Sequence, residues 1–309
     1  MKLSVITPHF NDFKGIQRVY ECLKKQTSSN WEWIIVDDYS DTPVRQLLKD
    51  YFREKSSENI KLVFNDSKTN ASVCRNVGVE ESNYDKLVFL DSDDIILEDF
   101  ISNRLVEIND FVVFRNFNTI NNKGETKLFS TVSSDFLNHF LQAKFIWQTT
   151  AVLWNKEFFV KIGKFNPDLN LLEDIELSIR GLMLSTNYKV LDNKVDFLYS
   201  VSPINTKKRS VDSLCSAVNY LIGYMHDSCQ LNKRQRDLVT GYYYLCVRYF
   251  NRSTTKGDIV YVQNSLTEFY KKKYMSYLSY LRALSFIKLY KMNLISSDLF
   301  LRLNRRFYK

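Results

Sequence analysis

Residues 87–96 read "LVFLDSDDII". Leu87 to Leu90 form a continuous apolar run, too short for a helix and patterned like a strand covered on both faces. The run stops at Asp91, Ser92, Asp93 and Asp94 and resumes at Ile95 and Ile96. Three carboxylates at the edge of a buried strand repel one another and resist desolvation, and a tight turn needs one Asp, not three. Hard divalent cations select carboxylate oxygens, and a strand end with two of them one residue apart can aim both at one point. Such a cation would neutralise the crowded charge and could also hold a diphosphate.

Three more apolar runs precede this one, at Leu3 to Thr7, Trp33 to Val36 and Ile60 to Phe64. Between them lie stretches with helical spacing: Ile16, Val19, Tyr20 and Leu23, then Val44, Leu47, Leu48 and Tyr51, then Val73 and Val77 beside Gly78. Strand and helix in alternation predict an α/β domain with a mostly parallel, doubly wound sheet, whose ligands bind beyond the carboxyl ends of the strands. The polar clusters "TPHFND", "DDYSD", "NDSKTN" and "DSDD" all follow strands and so share one edge. Taken singly, the middle two are equally well read as turns.

A fifth stretch, "NLLEDIELSIRGLML" at 170–184, reads as a largely buried helix with Glu173 and Asp174 in its first turn, where the helix dipole favours anions. Ahead of it, "FVVFRNFNTINNKGETKLFSTV" at 111–132 carries a hairpin signal around Asn-Lys-Gly, and "FIWQTTAVLWNKEFF" at 145–159 holds Trp147 and Trp154.

The blocks "LSVITPHFND", "WEWIIVDDYSD", "NASVCRNVGV", "LVFLDSDD" and "LLEDIELSIR" resemble, in this order and at these intervals, the signatures of family 2 glycosyltransferases of the inverting GT-A type. The resemblance covers about residues 1–200. It implies a Rossmann-like GT-A domain over 1–205, with a nucleotide-binding half at 1–97 and an acceptor half at 98–205. It also implies a nucleotide-sugar donor, a UDP-sugar by family habit, a glycan or lipid-linked acceptor, and Mn²⁺ or Mg²⁺ as cofactor. By the same resemblance Pro8, Phe10 and Asp38 contact base and ribose, Arg75 lies near base and diphosphate, and Asp91 faces the ribose. Asp93 or Asp94 binds the metal, and Trp147, Gln148 and Glu173 line the sugar and acceptor pocket, with Trp147 and Trp154 equally readable as core residues. Asp174 is the general base, with Glu173 and Glu176 as substitutes. Asp37 supports the loop. His9 is read either as a phosphate contact or as a solvent-facing loop residue.

Two other classes compete. A sugar nucleotidyltransferase shares the acidic nucleotide site but is normally announced by a Gly-rich loop, and "TPHFNDFKG" has one Gly. A nonenzymatic nucleotide-binding scaffold would not need both a metal and a base candidate.

Charge divides the chain: residues 201–309 hold 19 Lys and Arg against 6 Asp and Glu, a balance of +13, whereas the whole protein carries +8. From about Val211 the pattern becomes helical, so a helical basic region is expected over 206–309. Tyr274, Tyr277, Leu278 and Leu281 interleave there with Lys271, Lys272, Lys273 and Arg282. This mixture suits the headgroup region of an anionic membrane, with a helix bundle or dimer interface as the alternative. Nothing matches a nucleic-acid-binding motif. Five cysteines without a C-x-x-C pair suit reduced thiols, and charges interrupt every apolar run before a membrane span is reached. The expected place is the cytoplasm, at the inner face of the cell membrane.

Overall fold

Residues 1–55, 59–130, 133–201, 210–248 and 258–307 are described by a computed structural model. The alternation at the amino terminus resolves into β1 (Leu3–His9), α1 (Phe13–Lys24), β2 (Trp31–Asp37), α2 (Thr42–Glu54), β3 (Ile60–Phe64), α3 (Ala71–Glu80) and β4 (Lys86–Phe89). Polar residues set where the helices start. Asp12 accepts from the Gly15 amide at 3.0 Å to cap α1, and Asn70 accepts from the Val73 amide at 3.0 Å to cap α3.

Two compact units form, one from Met1–Ser133 with Ile146–Thr206, the other from Ser134–Phe145 with Lys207–Lys309. The 205/206 boundary expected from the sequence falls outside the described residues.

In the first unit a seven-stranded sheet runs in the order β10 (Lys189–Leu191), β6 (Phe111–Phe114), β9 (Val152–Asn155), β4, β1, β2, β3. Four of its six pairings are parallel; β9 alone runs antiparallel, between β4 and β6. Val5, Ile6, Trp33, Ile34, Ile35, Val36, Leu87, Val88 and Phe89 are fully buried, as strands covered on both faces must be. Each such side chain contributes about 1.5–3 kcal/mol of gross hydrophobic stabilisation. Gly78 lets α3 lie flush on β1, since a Cβ there would meet Ile6 Cγ2 at 2.4 Å.

A second sheet runs β5 (Ile95–Ile96), β11 (Phe197–Val201), β7 (Phe117–Asn121), β8 (Thr126–Phe129). The hairpin read around Asn-Lys-Gly is β7 paired antiparallel with β8, while the leading "FVVF" departs to the large sheet as β6. Thr131 and Val132 of that stretch lie outside the described residues. Phe117 stacks on Phe129 and Phe197 at 4.8 and 4.9 Å. Beneath this sheet α4 (Phe100–Arg104) ends in a fully buried guanidinium, which donates to Asp196 at 2.7 Å and lies 3.4 Å from the Phe100 ring centroid.

The helical unit comprises α5 (Phe136–Leu141), α8 (Val211–Ser228), α9 (Lys233–Val239), α10 (Gly241–Arg248), α11 (Ile259–Lys271), α12 (Tyr277–Lys291) and α13 (Ser297–Asn304). α5 is held by α10: the Tyr242 hydroxyl donates to the Phe140 carbonyl at 2.7 Å, and a Cβ at Gly241 would meet the Gln142 carbonyl oxygen at 2.4 Å. All five cysteines are free thiols. No helix among the described residues is long and apolar enough to cross a membrane.

Candidate active site

The loops after β1, β2 and β3 are tied into one surface by their polar residues. His9, only 2% exposed, donates from Nδ1 to Asp37 at 2.8 Å and accepts from the Asp12 amide at Nε2 at 3.0 Å. Both ring nitrogens are therefore spent inside the loop, and neither a phosphate contact nor a solvent-facing role fits. Burial works against the Asp37 charge, yet the bonds from His9 and Ser40 hold its carboxyl below the usual range. Asn11 and Asp41 clasp the two loops through the Asp41 amide at 2.9 Å and the Asn11 amide group at 3.2 Å.

Asp38 is buried and accepts from the Thr69 amide at 2.7 Å, the Thr69 hydroxyl at 2.5 Å and the Lys68 ammonium. Burial opposes its charge, but these donors outweigh burial and keep its pKa below the ordinary value. Asp38, expected to contact the base, here holds the "NDSKTN" loop with its oxygens. Lys68 in turn sits 4.0 Å from the centroid of the Phe10 ring, which is 46% exposed. Pro8 pairs with Val36 in the sheet and aims the chain toward this rim.

The "DSDD" run joins the two sheets, leaving β4 of the large one and entering β5 of the small one. Its carboxylates have separate environments. Asp91 is partly exposed and accepts from Arg75 at 2.7 Å. Asp93 is exposed, and its carbonyl accepts from the Ser200 hydroxyl. Asp94 is 1% exposed, accepting from the Thr150 hydroxyl at 2.8 Å and the Ser200 amide at 3.0 Å. Burial, reinforced by the Asp91 charge, pushes the Asp94 carboxyl well above the carboxylate range. Asp94, expected alongside Asp93 at a metal, here uses both its oxygens to fasten β11 and the 3-10 turn Thr149–Ala151 to the strand end.

Opposite stands α7 (Glu173–Leu184), the helix that follows α6 (Lys156–Lys161) in the chain, preceded by Leu172 in the left-handed region at φ 65°. Arg75, buried on α3, donates to Asp91 at 2.7 Å and to Glu173 at 3.1 Å and so bridges strand end and helix start. Burial opposes its charge, but Asp91 and Glu173 more than compensate and raise its pKa. Asp174 is half-buried, and its side chain accepts from the Ile175 amide at 2.9 Å. Desolvation first, and the Glu173 charge second, push its pKa up to about 7. Glu176 is buried in a pair with Arg180 at 2.5 Å, which takes it out of any base role.

Trp147, read either as pocket lining or as a core residue, is a buried strut: it is 3% exposed and its indole N–H donates to Ser178 at 3.1 Å. Ser178 passes the bond to the Asp174 carbonyl at 2.7 Å, so Trp147 steadies the first turn of α7. Gln148 is half-buried just before the 3-10 turn. Sequence reasoning missed Lys68, Ser200 and Tyr199. The Tyr199 hydroxyl lies within the field of Asp174, Asp94, Asp91 and Asp93, and burial first, then these charges, raise its pKa. One signal was absent from the sequence altogether: Asn11, Tyr39 and Leu172, all at this rim, adopt positive φ of 53°, 62° and 65°.

Among the described residues no group of three or more His, Cys, Asp and Glu side chains is arranged to hold a metal. A diphosphate-bound Mn²⁺ or Mg²⁺ asks for less, one or two carboxylates beside phosphate and water. The exposed Asp93 could supply such a carboxylate.

A mostly parallel α/β sheet with a carboxylate-rich strand end facing an acidic helix start is the architecture of the GT-A fold class. Glycosyl transferase family 2 matches residues 4–165, and the chain belongs to that family, which makes it a glycosyltransferase. It is 27% identical over 234 residues to an uncharacterized glycosyltransferase of Haemophilus influenzae, covering 73% of this chain and 76% of that protein. Over 127 residues it is 30% identical to the Escherichia coli UDP-Glc:alpha-D-GlcNAc-diphosphoundecaprenol beta-1,3-glucosyltransferase WfgD, covering 39% and 47% of the two chains. In three dimensions it is similar to S. aureus TarS 1-349 in complex with UDP-GlcNAc, with a TM-score of 0.66, 16% identity, and coverage of 100% of this chain and 90% of that one.

Proposed function

We propose that the protein transfers a sugar, with inversion, from a UDP-sugar to a hydroxyl of a glycan or lipid-linked acceptor during assembly of a bacterial cell-surface polymer. One observation carries the reading: Arg75 joins Asp91, on the donor side, to Glu173, whose neighbour Asp174 has the pKa of a working base, about 7. The UDP and diphospholipid in the names of similar proteins support the donor and acceptor classes.

In this reading Phe10 and Lys68 face the base, while Asp38 acts through Lys68 and Thr69. Asp91 faces the ribose and Asp93 holds Mn²⁺ or Mg²⁺, which when bound stabilises the departing diphosphate. Asp174 takes the proton from the acceptor hydroxyl, whose oxygen attacks the anomeric carbon from the face opposite the nucleotide. No covalent intermediate is needed. Gln148 and Glu173 border the sugar. The reaction belongs in the cytoplasm, at the inner face of an anionic membrane, with the basic helical unit meeting the lipid.

Asp174→Asn keeps size but cannot accept the proton. Turnover should fall by at least about 10²-fold while UDP-sugar affinity changes little. Turnover near that of the parent would remove Asp174 as the base. The product identifies the class: nucleoside diphosphate marks sugar transfer, and pyrophosphate would mark nucleotidyl transfer.

A further inference from the structure

The helical unit contains a cavity of about 680 Å³ where the end of α11, the start of α12 and α9 meet. Lys233, Arg236, Lys271 and Lys273 line it, against a single carboxylate, Asp237. Arg236 is held in place by its Nε, which donates to the Leu231 carbonyl at 3.1 Å. Lys271 shares a carboxylate, Glu268, at 3.0 Å. Lys273 has φ 60°, a left-handed position that Asn or Gly fills at less cost. The matching position after α12 is indeed Asn293, also at φ 60°. A lysine thus stands at the cavity in a backbone conformation that disfavours it.

Beside the cavity α12 shows a second feature. Ala283 and Ile287 face inward, while Tyr277, Leu278 and Leu281 are 58%, 66% and 37% exposed on the opposite face. Arg282 and Lys288 stand on that same exposed face, and neither forms an ion pair among the described residues. Apolar and aromatic side chains flanked by cations are the pattern of a helix lying in a membrane interface. A soluble polyanion would be matched by the cations alone and leaves the leucines unexplained.

We propose that the cavity and the adjoining face of α12 form a docking site for an anionic phospholipid surface. A headgroup phosphate sits among Lys233, Arg236, Lys271 and Lys273, while Tyr277, Leu278 and Leu281 enter the outer acyl layer. The proposal rests on the lipid-surface reading above and adds the site that would do the binding.

Sedimentation of the full chain with phosphatidylglycerol vesicles, and with phosphatidylcholine vesicles as control, tests it. The parent should bind the anionic vesicles and not the neutral ones. Arg236→Glu with Lys273→Glu should weaken that binding by at least about tenfold, because each basic residue near an anionic surface contributes several-fold. Leu278→Ser with Leu281→Ser should weaken it too, and leave what remains more sensitive to salt. A UDP-induced thermal shift equal to the parent's shows that each variant is folded with its donor site intact. If the parent binds but the variants bind equally well, this site is overturned and the lipid-surface reading stands. If the parent ignores anionic vesicles, both fall. If soluble polyphosphate binds, is lost in the charge variant, and vesicles are ignored, the cavity serves a soluble polyanion and the lipid proposal is overturned.

Discussion

Asp174 is placed where chemistry and stability pull in opposite directions. Its folded pKa is raised to about 7, above its unfolded value, chiefly by desolvation. Between the unfolded value and about 7 the folded chain binds more protons than the unfolded one, so the stability due to this group is present at low pH and lost as pH rises through that window. Asp174→Asn should therefore melt higher than the parent at pH 8, with the gap closing toward pH 4, while it loses turnover. In the parent, kcat/KM should rise with pH and level off above about 7. Asp93 and Asp94 should part company in the same way. Asp93→Ala should weaken metal-dependent UDP binding and leave melting unchanged. Asp94→Ala should destabilise by about 1–3 kcal/mol for each of the Thr150 and Ser200 donors left unsatisfied. Equal melting of the two variants would reverse these assignments. From the sequence the crowding at 91–94 was legible, but not the division of labour within it. That division depends on Ser200 and Thr150, which lie 106 and 56 residues away.

Helix α1 lies close against the strand end at Gly15. A Cβ on Gly15 would lie 2.0 Å from Asp12 Oδ2 and 2.8 Å from the Ser92 carbonyl oxygen. Asp12 can swing aside, but the Ser92 backbone cannot, and Ser92 also accepts from Arg18 at 2.6 Å and donates to Asp12 at 2.7 Å. Gly15→Ala should cost about 1–3 kcal/mol of melting stability as an overpacked contact, and UDP affinity should fall with it because the "DSDD" loop must move. Unchanged values on both counts would show that the loop yields freely. The strands before residue 90 were legible because continuous apolar runs have one reading in a doubly wound sheet. β9 was not, since "VLWN" carries no mark of strand direction, and β6 was not, since its parting from the β7–β8 hairpin is set by partners far along the chain.

At the scale of the molecule, the change from an acidic to a basic composition was legible, but the membership of 134–145 in the helical unit was not. Phe140 and Leu141 are fully buried there, with Tyr242 of α10 bonded to Phe140 and α9 packed against α5. A chain ended at residue 201 should therefore leave α5 uncovered. Protease should cut within 134–145 in the shortened chain and spare that segment in the full one. Protection in both would mean that α5 finds cover without the later helices.

The Arg75 bridge also bears on the order in which substrates arrive. On the proposed function, a diphosphate entering beside Asp91 would compete with Glu173 for the same guanidinium, so the donor would rearrange the acceptor side before the acceptor binds. Steady-state kinetics should then show a compulsory sequence with donor first and nucleoside diphosphate last. Nucleoside diphosphate should inhibit competitively against the donor and noncompetitively against the acceptor, and Arg75→Lys, which cannot span both carboxylates, should relax the order toward random addition.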